Sequence, residues 1–342
     1  MAAADRPLLV VHDPKEGHLV YDLLLLEEEE DGDEALVCLP RPVAHFPFPL
    51  DTSAAFAVAG GSILGVRYDF WSDTLFHDSV MQFGGYDLYD KSPYSRRDAE
   101  GRVVRCSPKT RIIDGWRGFG SYKDMPAMIP MGDGTVVRMD TVLFHGIYVF
   151  ERFHRRLLPG DGGGWHAVPL PKPPIGPLGE RECTFASAYV AIGARVWISV
   201  DRKGTFSLDT ERGEWRVEGT WKLPFEGRAL YVPELGSVIG LAAKTMFLCA
   251  YDIKTGTPPV IRHEWRETLP RPHEECSVIS GETTQREVSR PRDMPSLAYL
   301  GNGKICICRP MTTKVLNLYF GPRITYDACS FLTVELKRLP NG

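Results

Sequence analysis

The chain has 342 residues, 43% apolar and 25% charged, with 40 basic against 44 acidic side chains and a formal net charge of -4. That balance is of the soluble globular kind, and it supplies no domain-wide positive field to gather nucleic acid or anionic lipid. No stretch approaches the roughly 18 consecutive apolar residues of a membrane-spanning helix. The opening "MAAADRPLLVV" carries one basic residue and too short an apolar run for an export signal. The eight cysteines, Cys38, Cys106, Cys183, Cys249, Cys276, Cys306, Cys308 and Cys329, are therefore expected as reduced thiols in the cytosol or nucleus.

In chain order, one pattern recurs: an apolar run closed by an acid, a turn, then a strand ending in proline. "HLVYDLL" (Tyr21, Asp22) leads to Leu39-Pro40, and "YDLYDKS" (Tyr89, Asp90) leads to "VVRCSP" ending at Pro108. "IYVFERF" (Phe150, Glu151) leads through "GDGGGW" to Leu170-Pro171, and "FSLDTERGEW" (Leu208, Asp209) leads to Leu223-Pro224. "LCAYDIKTG" (Tyr251, Asp252) leads to Leu269-Pro270, and "ITYDACS" (Tyr326, Asp327) leads to Leu339-Pro340. Each unit reads as two antiparallel strands. The acid accepts hydrogen bonds from amides two or three residues on and so fixes the turn. Gly213 and Gly256 offer the positive φ such turns need. Proline stops the pairing because it has no N–H to donate.

Between these units, "AAFAVAGGSILGVRYDF", "SAYVAIGARVWISV", "RALYVPELGSVIGLAA" and "SLAYLGNGKICICRP" each show two short apolar runs around a glycine-containing turn. Two strands before the acid-bearing strand and one after it make a four-stranded meander, and no segment keeps a helical period without Gly or Pro. Six meanders of roughly 45–75 residues predict a single all-β domain, a six-bladed kelch-like β-propeller over residues 1–342, because radial repetition leaves only short sheet edges. Two β-sandwiches are the alternative. Irregular ends leave seven blades open: "RPLLVV" is the only strand ahead of the first acid, and the chain closes on the turn signal Pro340-Asn341-Gly342, from which an incomplete closing blade is expected.

Few residues suggest chemistry. Cys306 and Cys308 share a strand face, yet the Cys-x-Cys gap is too short for a zinc pair and Ile305 and Ile307 mark a buried strand. The nine histidines form no metal-binding motif by spacing, there is no Gly-x-Ser-x-Gly elbow, and "GDGGGW" lacks the Lys-Ser/Thr of a phosphate loop. Acids that return in every unit read as turn formers, since a catalytic acid occurs once or twice. No catalytic residue, cofactor or metal is assigned.

The run Gly204–Thr210 with Trp215, Trp221, Leu223 to Phe225, Gly227-Arg228-Ala229, Tyr231, Pro233, Glu234, Leu248, Cys249, Asp252 and "LAYLGNGKICICRP" resembles a family of uncharacterised kelch-like propeller proteins expanded in grasses. The likeness is dense from about Ser187 to Arg309 and implies a propeller fold; its motifs are structural in kind.

Three segments fall outside the blade pattern and read as irregular loops: residues 68–83, 115–131 and 273–293. In the second, Trp116, Phe119 and Tyr122 alternate with Gly, Arg and Lys, a composition found at interface hot spots. The functional expectation is a non-catalytic protein-interaction module, monomeric, holding a protein partner by shape and aromatic anchoring, with Trp116, Phe119 and Tyr122 at the contact. The alternative is an enzyme or small-molecule binder with its site in a central funnel.

Overall fold

The computed structural model describes residues 8–13, 17–22, 42–46, 52–59, 62–69, 79–87, 95–97, 104–106, 112–118, 126–144, 149–158, 161–178, 183–268, 275–279, 282–288, 295–317 and 321–338. Among them the regular structure is strand, apart from one 3-10 turn at Arg266–Thr268. The chain divides into two compact units, residues 1–186 with 191–217, and residues 187–190 with 218–342.

In the first unit, β1 (Leu8–Asp13), β2 (Gly17–Asp22) and β3 (Ala44–Phe46) form an antiparallel sheet. β4 (Thr52–Ala59), β5 (Ser62–Asp69) and β6 (Ser79–Asp87) follow, and a small hairpin, β7 (Ser95–Arg97) with β8 (Val104–Cys106), stands apart before β9 (Ile112–Gly118) completes the order β4-β5-β6-β9. β10 (Pro126–Pro130) and β11 (Val136–Asp140) pair next, while β12 (Val142–Phe144) leaves the sheet to pair elsewhere. β13 (Phe150–Leu158) and β14 (Asp161–Pro169) close the order β10-β11-β13-β14. β15 (Cys183–Ile192), β16 (Arg195–Val200), β17 (Gly204–Asp209) and β18 (Glu214–Gly219) are a further meander, with β12 on the start of β15; Ser187–Val190 of β15 and the end of β18 from Glu218 belong to the second unit.

The second unit repeats the plan in β19 (Phe225–Val232), β20 (Ser237–Ala242), β21 (Leu248–Lys254) and β22 (Thr257–Trp265). Its remaining sheet holds β23 (Glu275–Ile279), β24 (Glu282–Val288), β25 (Ser296–Gly301) and two long strands, β26 (Lys304–Asn317) and β27 (Gly321–Glu335). Successive meanders pack face to face within each unit. Ala57, Ala59 and Leu64 meet Met128, Val136, Phe153 and Trp165 in the first. In the second, Leu230, Val232, Ile239, Leu241, Leu248 and Ala250 meet Leu297, Ile305 and Ile307. Each such Leu or Ile contributes about 1.5–3 kcal/mol on burial, which makes these faces the main source of cohesion.

The recurring acid does not do one job. At Asp209 the expected turn forms: Oδ1 accepts from the amides of Glu211 (3.2 Å) and Arg212 (3.1 Å), and Gly213 turns at φ 70°. Asp252 instead bonds across the hairpin to Arg262 at 2.6 Å. Glu151 lies inside the ladder, opposite Arg138 on one side and Pro169 on the other, so it ends no strand. Asp327 also precedes no turn: β27 runs on from it, and it is the extra residue of a bulge against β26, between the pairs Met311–Ala328 and Thr312–Tyr326. A long uninterrupted partner strand keeps offering ladder bonds there, so the acid has no reason to end the pairing. Asp90 lies outside the described residues.

Two further expectations are corrected. The strand pairing with β6 is β9, Ile112–Gly118, not the segment ending at Pro108; Val104–Cys106 pairs with Ser95–Arg97. Strands also run through parts of the segments read as loops. Ser79–Asp87, Ile112–Gly118 and Pro126–Pro130 are strands, and Glu275–Ile279 pairs antiparallel with Glu282–Val288 as a hairpin. That hairpin is polar at most positions, so its alternation carries no apolar signal.

Candidate functional site

The outer strands of the meanders carry the exposed apolar surface. Four of the six large apolar side chains exposed among the described residues, Val168, Val217, Val260 and Ile261, lie on β14, β18 and β22, each the fourth strand of its meander; Phe185 and Tyr231 are the others. Val260 is 62% and Ile261 51% exposed. Among the described residues these fourth strands have one ladder neighbour, so their other edge offers unpaired backbone groups as well as side chains.

β22 is the longest exposed run of this kind. Its hairpin tip turns at Gly256, φ 74°, whose amide donates to the Glu218 carboxylate at 2.5 Å. Pro258 and Pro259 remove two N–H groups near the start of the strand. Register shifts between Ala250 and Tyr251 and between Asp252 and Lys254 twist it. From Val260 onward the edge keeps its donors, with the His263 and Trp265 rings in contact at 4.7 Å. Prolines and bulges of this sort hold an edge against indiscriminate pairing while leaving a short stretch competent.

The charged core of the first unit is structural. Arg138, fully buried, donates to Glu151 at 2.6 Å and to Asp140 at 3.1 Å, while the Val149 amide donates to the other Asp140 oxygen at 2.7 Å. One cation serves two carboxylates. Burial pushes the Glu151 carboxyl above its usual range against the pull of Arg138, and the nearby Asp140 adds to the rise. In the second unit, Arg309 donates to the carbonyls of Met246 (3.0 Å) and Thr268 (3.3 Å) and ties two loops together. Burial raises the Cys249 and Cys306 thiols, which suits packing and not nucleophilic use.

Of the expected contact residues, Trp116 falls in β9, where two residues, Gly115 and Trp116, are set against Met81 alone between the pairs Val80–Arg117 and Gln82–Asp114. Phe119 and Tyr122 lie outside the described residues. Gly227-Arg228-Ala229, which the sequence offers only as part of a structural resemblance, stands in a bulge of β19.

No curated protein matches the chain. Among solved structures, an endosialidase of phage phi92 aligns at 8% identity with a TM-score of 0.26, covering 82% of this chain and 49% of that one. The chain thus spans about half the length of that structure, and a superposition so loose carries no argument. Residues 8–336 match the family described as protein of unknown function (DUF1668), and the chain belongs to that family.

Proposed function

We propose that this protein is a non-catalytic protein-interaction module built on a propeller-type scaffold, and that its partner contact is the free edge of β22. The observation that carries the reading is the concentration of exposed apolar side chains on fourth strands, greatest at Val260 and Ile261. A six-bladed kelch-like ring is part of the same reading, supported by the recurrence of four-stranded meanders packed face to face. The partner that fits is an extended peptide segment. It would add a strand along Val260–Trp265, main-chain bonds giving affinity and the flanking Val260 and Ile261 giving selectivity.

The test is affinity capture with the full chain, in parallel with V260K/I261K and W116A/F119A variants. Loss of captured partners with the β22 variant and retention with the other supports the reading. Equal recovery by the parent and V260K/I261K overturns it, and loss with W116A/F119A alone moves the contact to β9.

A further inference from the structure

Arg228 stands where a regular ladder would not put it. Between the pairs Glu226–Leu241 and Leu230–Ile239, three residues of β19, Gly227 to Ala229, oppose Gly240 alone. Gly227 makes the detour at φ 64°, a region glycine enters without strain. A Cβ on Gly240 would stand 3.0 Å from those of Ala229 and Phe225, so a second glycine clears the way for the displaced backbone. The detour swings β19 toward β15, where Ala188 pairs in parallel with Gly227 and Tyr189 with Arg228. Bulges of this kind re-aim side chains, and they gather at binding sites. Paired residues of a ladder project from the same face, so the phenol and the guanidinium stand side by side while Ala188 and Ala229 are buried.

The surroundings of the guanidinium are unusual for this chain. It retains some water-accessible surface, yet protein crowds it closely enough that burial draws its pKa below the usual value. Burial likewise raises the Tyr189 phenol, which keeps its proton to donate. Arg138 and Arg195 face carboxylates and Arg309 faces carbonyls. Arg228 makes no hydrogen bond or ion pair with any described residue; among them its electrostatic neighbour is Tyr189. A guanidinium offers five N–H donors in a rigid fork, and these, with no protein acceptor among the described residues, are left to solvent and open to an acceptor of matching geometry.

We infer that Arg228 and Tyr189 form a seat for a small oxyanion, a carboxylate or a phosphate group, gripped by the guanidinium fork with the phenol O–H as a further donor. The seat lies on the first strand of its meander and is independent of the β22 edge. It also gives chemical content to the small-molecule reading raised from the sequence.

The experiment uses the full chain, with inorganic phosphate and benzoate as probes and sodium chloride at matched ionic strength as the reference. In thermal unfolding and calorimetric titration, one oxyanion should stabilise saturably beyond chloride, and the stronger probe identifies the group. Arg228→Gln should weaken that response at least tenfold and Tyr189→Phe a few-fold. Phenylglyoxal labelling of the parent, mapped by mass spectrometry, removes the dependence on variants that fold: Arg228 should label in chloride and be protected by the oxyanion. No response to either oxyanion, an Arg228→Gln variant that responds like the parent, or an Arg228 that never labels would each overturn the seat.

Discussion

The Trp215 indole Nε1–H donates to the carbonyl oxygen of Pro171 at 2.8 Å. Pro171 introduces the meander to which Trp215 contributes the last strand, and it lies against the Asp209–Gly213 turn, where a Cβ on Gly213 would be 3.6 Å from its Cγ. The Phe150 ring meets Trp215 edge-on at 5.3 Å. A counterpart exists in the second unit, where the Tyr251 hydroxyl donates to the Pro224 carbonyl at 3.4 Å, again from a late strand to the proline that opens the meander. The prolines thus do more than end pairing. Their carbonyls receive a side-chain donor from the sheet that follows, and that of Pro224 also accepts the Ala243 amide at 3.1 Å.

Trp215→Phe keeps most of the ring and removes the donor, and should lower stability by about 1 kcal/mol, as for one lost hydrogen bond. Trp215→Ala also loses the contact with Phe150 and should cost about 2–3 kcal/mol. Urea unfolding of the two variants checks both values; equal effects would mean that the indole N–H contributes nothing.

The three-way cluster around Arg138 predicts a pH effect of definite sign. Glu151 has its folded-state pKa raised above the ordinary 4.5, so the folded chain holds its proton longer than the unfolded chain does. The stability that this group contributes is full below 4.5 and is lost as pH rises through the raised value. Glu151→Gln cannot titrate. The stability of the parent minus that of Glu151→Gln should therefore fall from pH 4 toward neutrality, and a flat difference would contradict the assignment. Arg138→Met leaves two buried carboxylates without their cation and should cost about 3–5 kcal/mol near neutral pH.

Gly303 and Gly236 separate conformational strain from collision. Both have positive φ, 76° and 59°. A Cβ on Gly303 would run into the Leu336 carbonyl oxygen, in a segment held by the Leu336 amide bonding to Gly303 at 2.9 Å, whereas one on Gly236 meets open space. Gly303→Ala should cost about 3 kcal/mol, combining backbone strain with overpacking. Gly236→Ala should cost about 1 kcal/mol, the price of a left-handed residue alone. Thermal unfolding of the two variants side by side gives the comparison.

Asp209 and Asp252 hold the same place in the repeat and should respond differently. The amides of Arg212 and Glu211, with Arg195 and Arg212 nearby, hold the Asp209 carboxyl below its usual range. Its stabilisation is present above the ordinary value of 3.8 and fades as pH falls through the lowered one. Asp209→Ala should cost about 1–2 kcal/mol near neutral pH, since two amide partners are lost. Asp252→Ala breaks a pair with the half-exposed Arg262 and should cost less than about 1 kcal/mol. The ordering of the two in a denaturant titration at pH 7 is the observable.

Much of the strand content was legible beforehand because alternation and turn chemistry are local. The turn at Asp209–Gly213 needs only its own five residues, and it forms where the Asp and the Gly place it. The Cys306 strand was legible for the same reason, its neighbours Ile305 and Ile307 being fully buried. The errors fell where a local signal met a distant partner. Glu151 has the look of a turn acid until Arg138, thirteen residues earlier, is placed beside it. Asp327 loses its turn to a long partner strand.

What the sequence alone determined is the class of local structure: short strands, where several of them turn, and membership of one repeating plan. The tertiary structure decided which carboxylate takes an arginine, which proline carbonyl takes an aromatic donor, and that Arg228 stands beside Tyr189 on a neighbouring parallel strand. Those outcomes depend on pairing between segments tens of residues apart. No side chain encodes its partner across such a gap; the partner is set by the register and bulges of the assembled sheets.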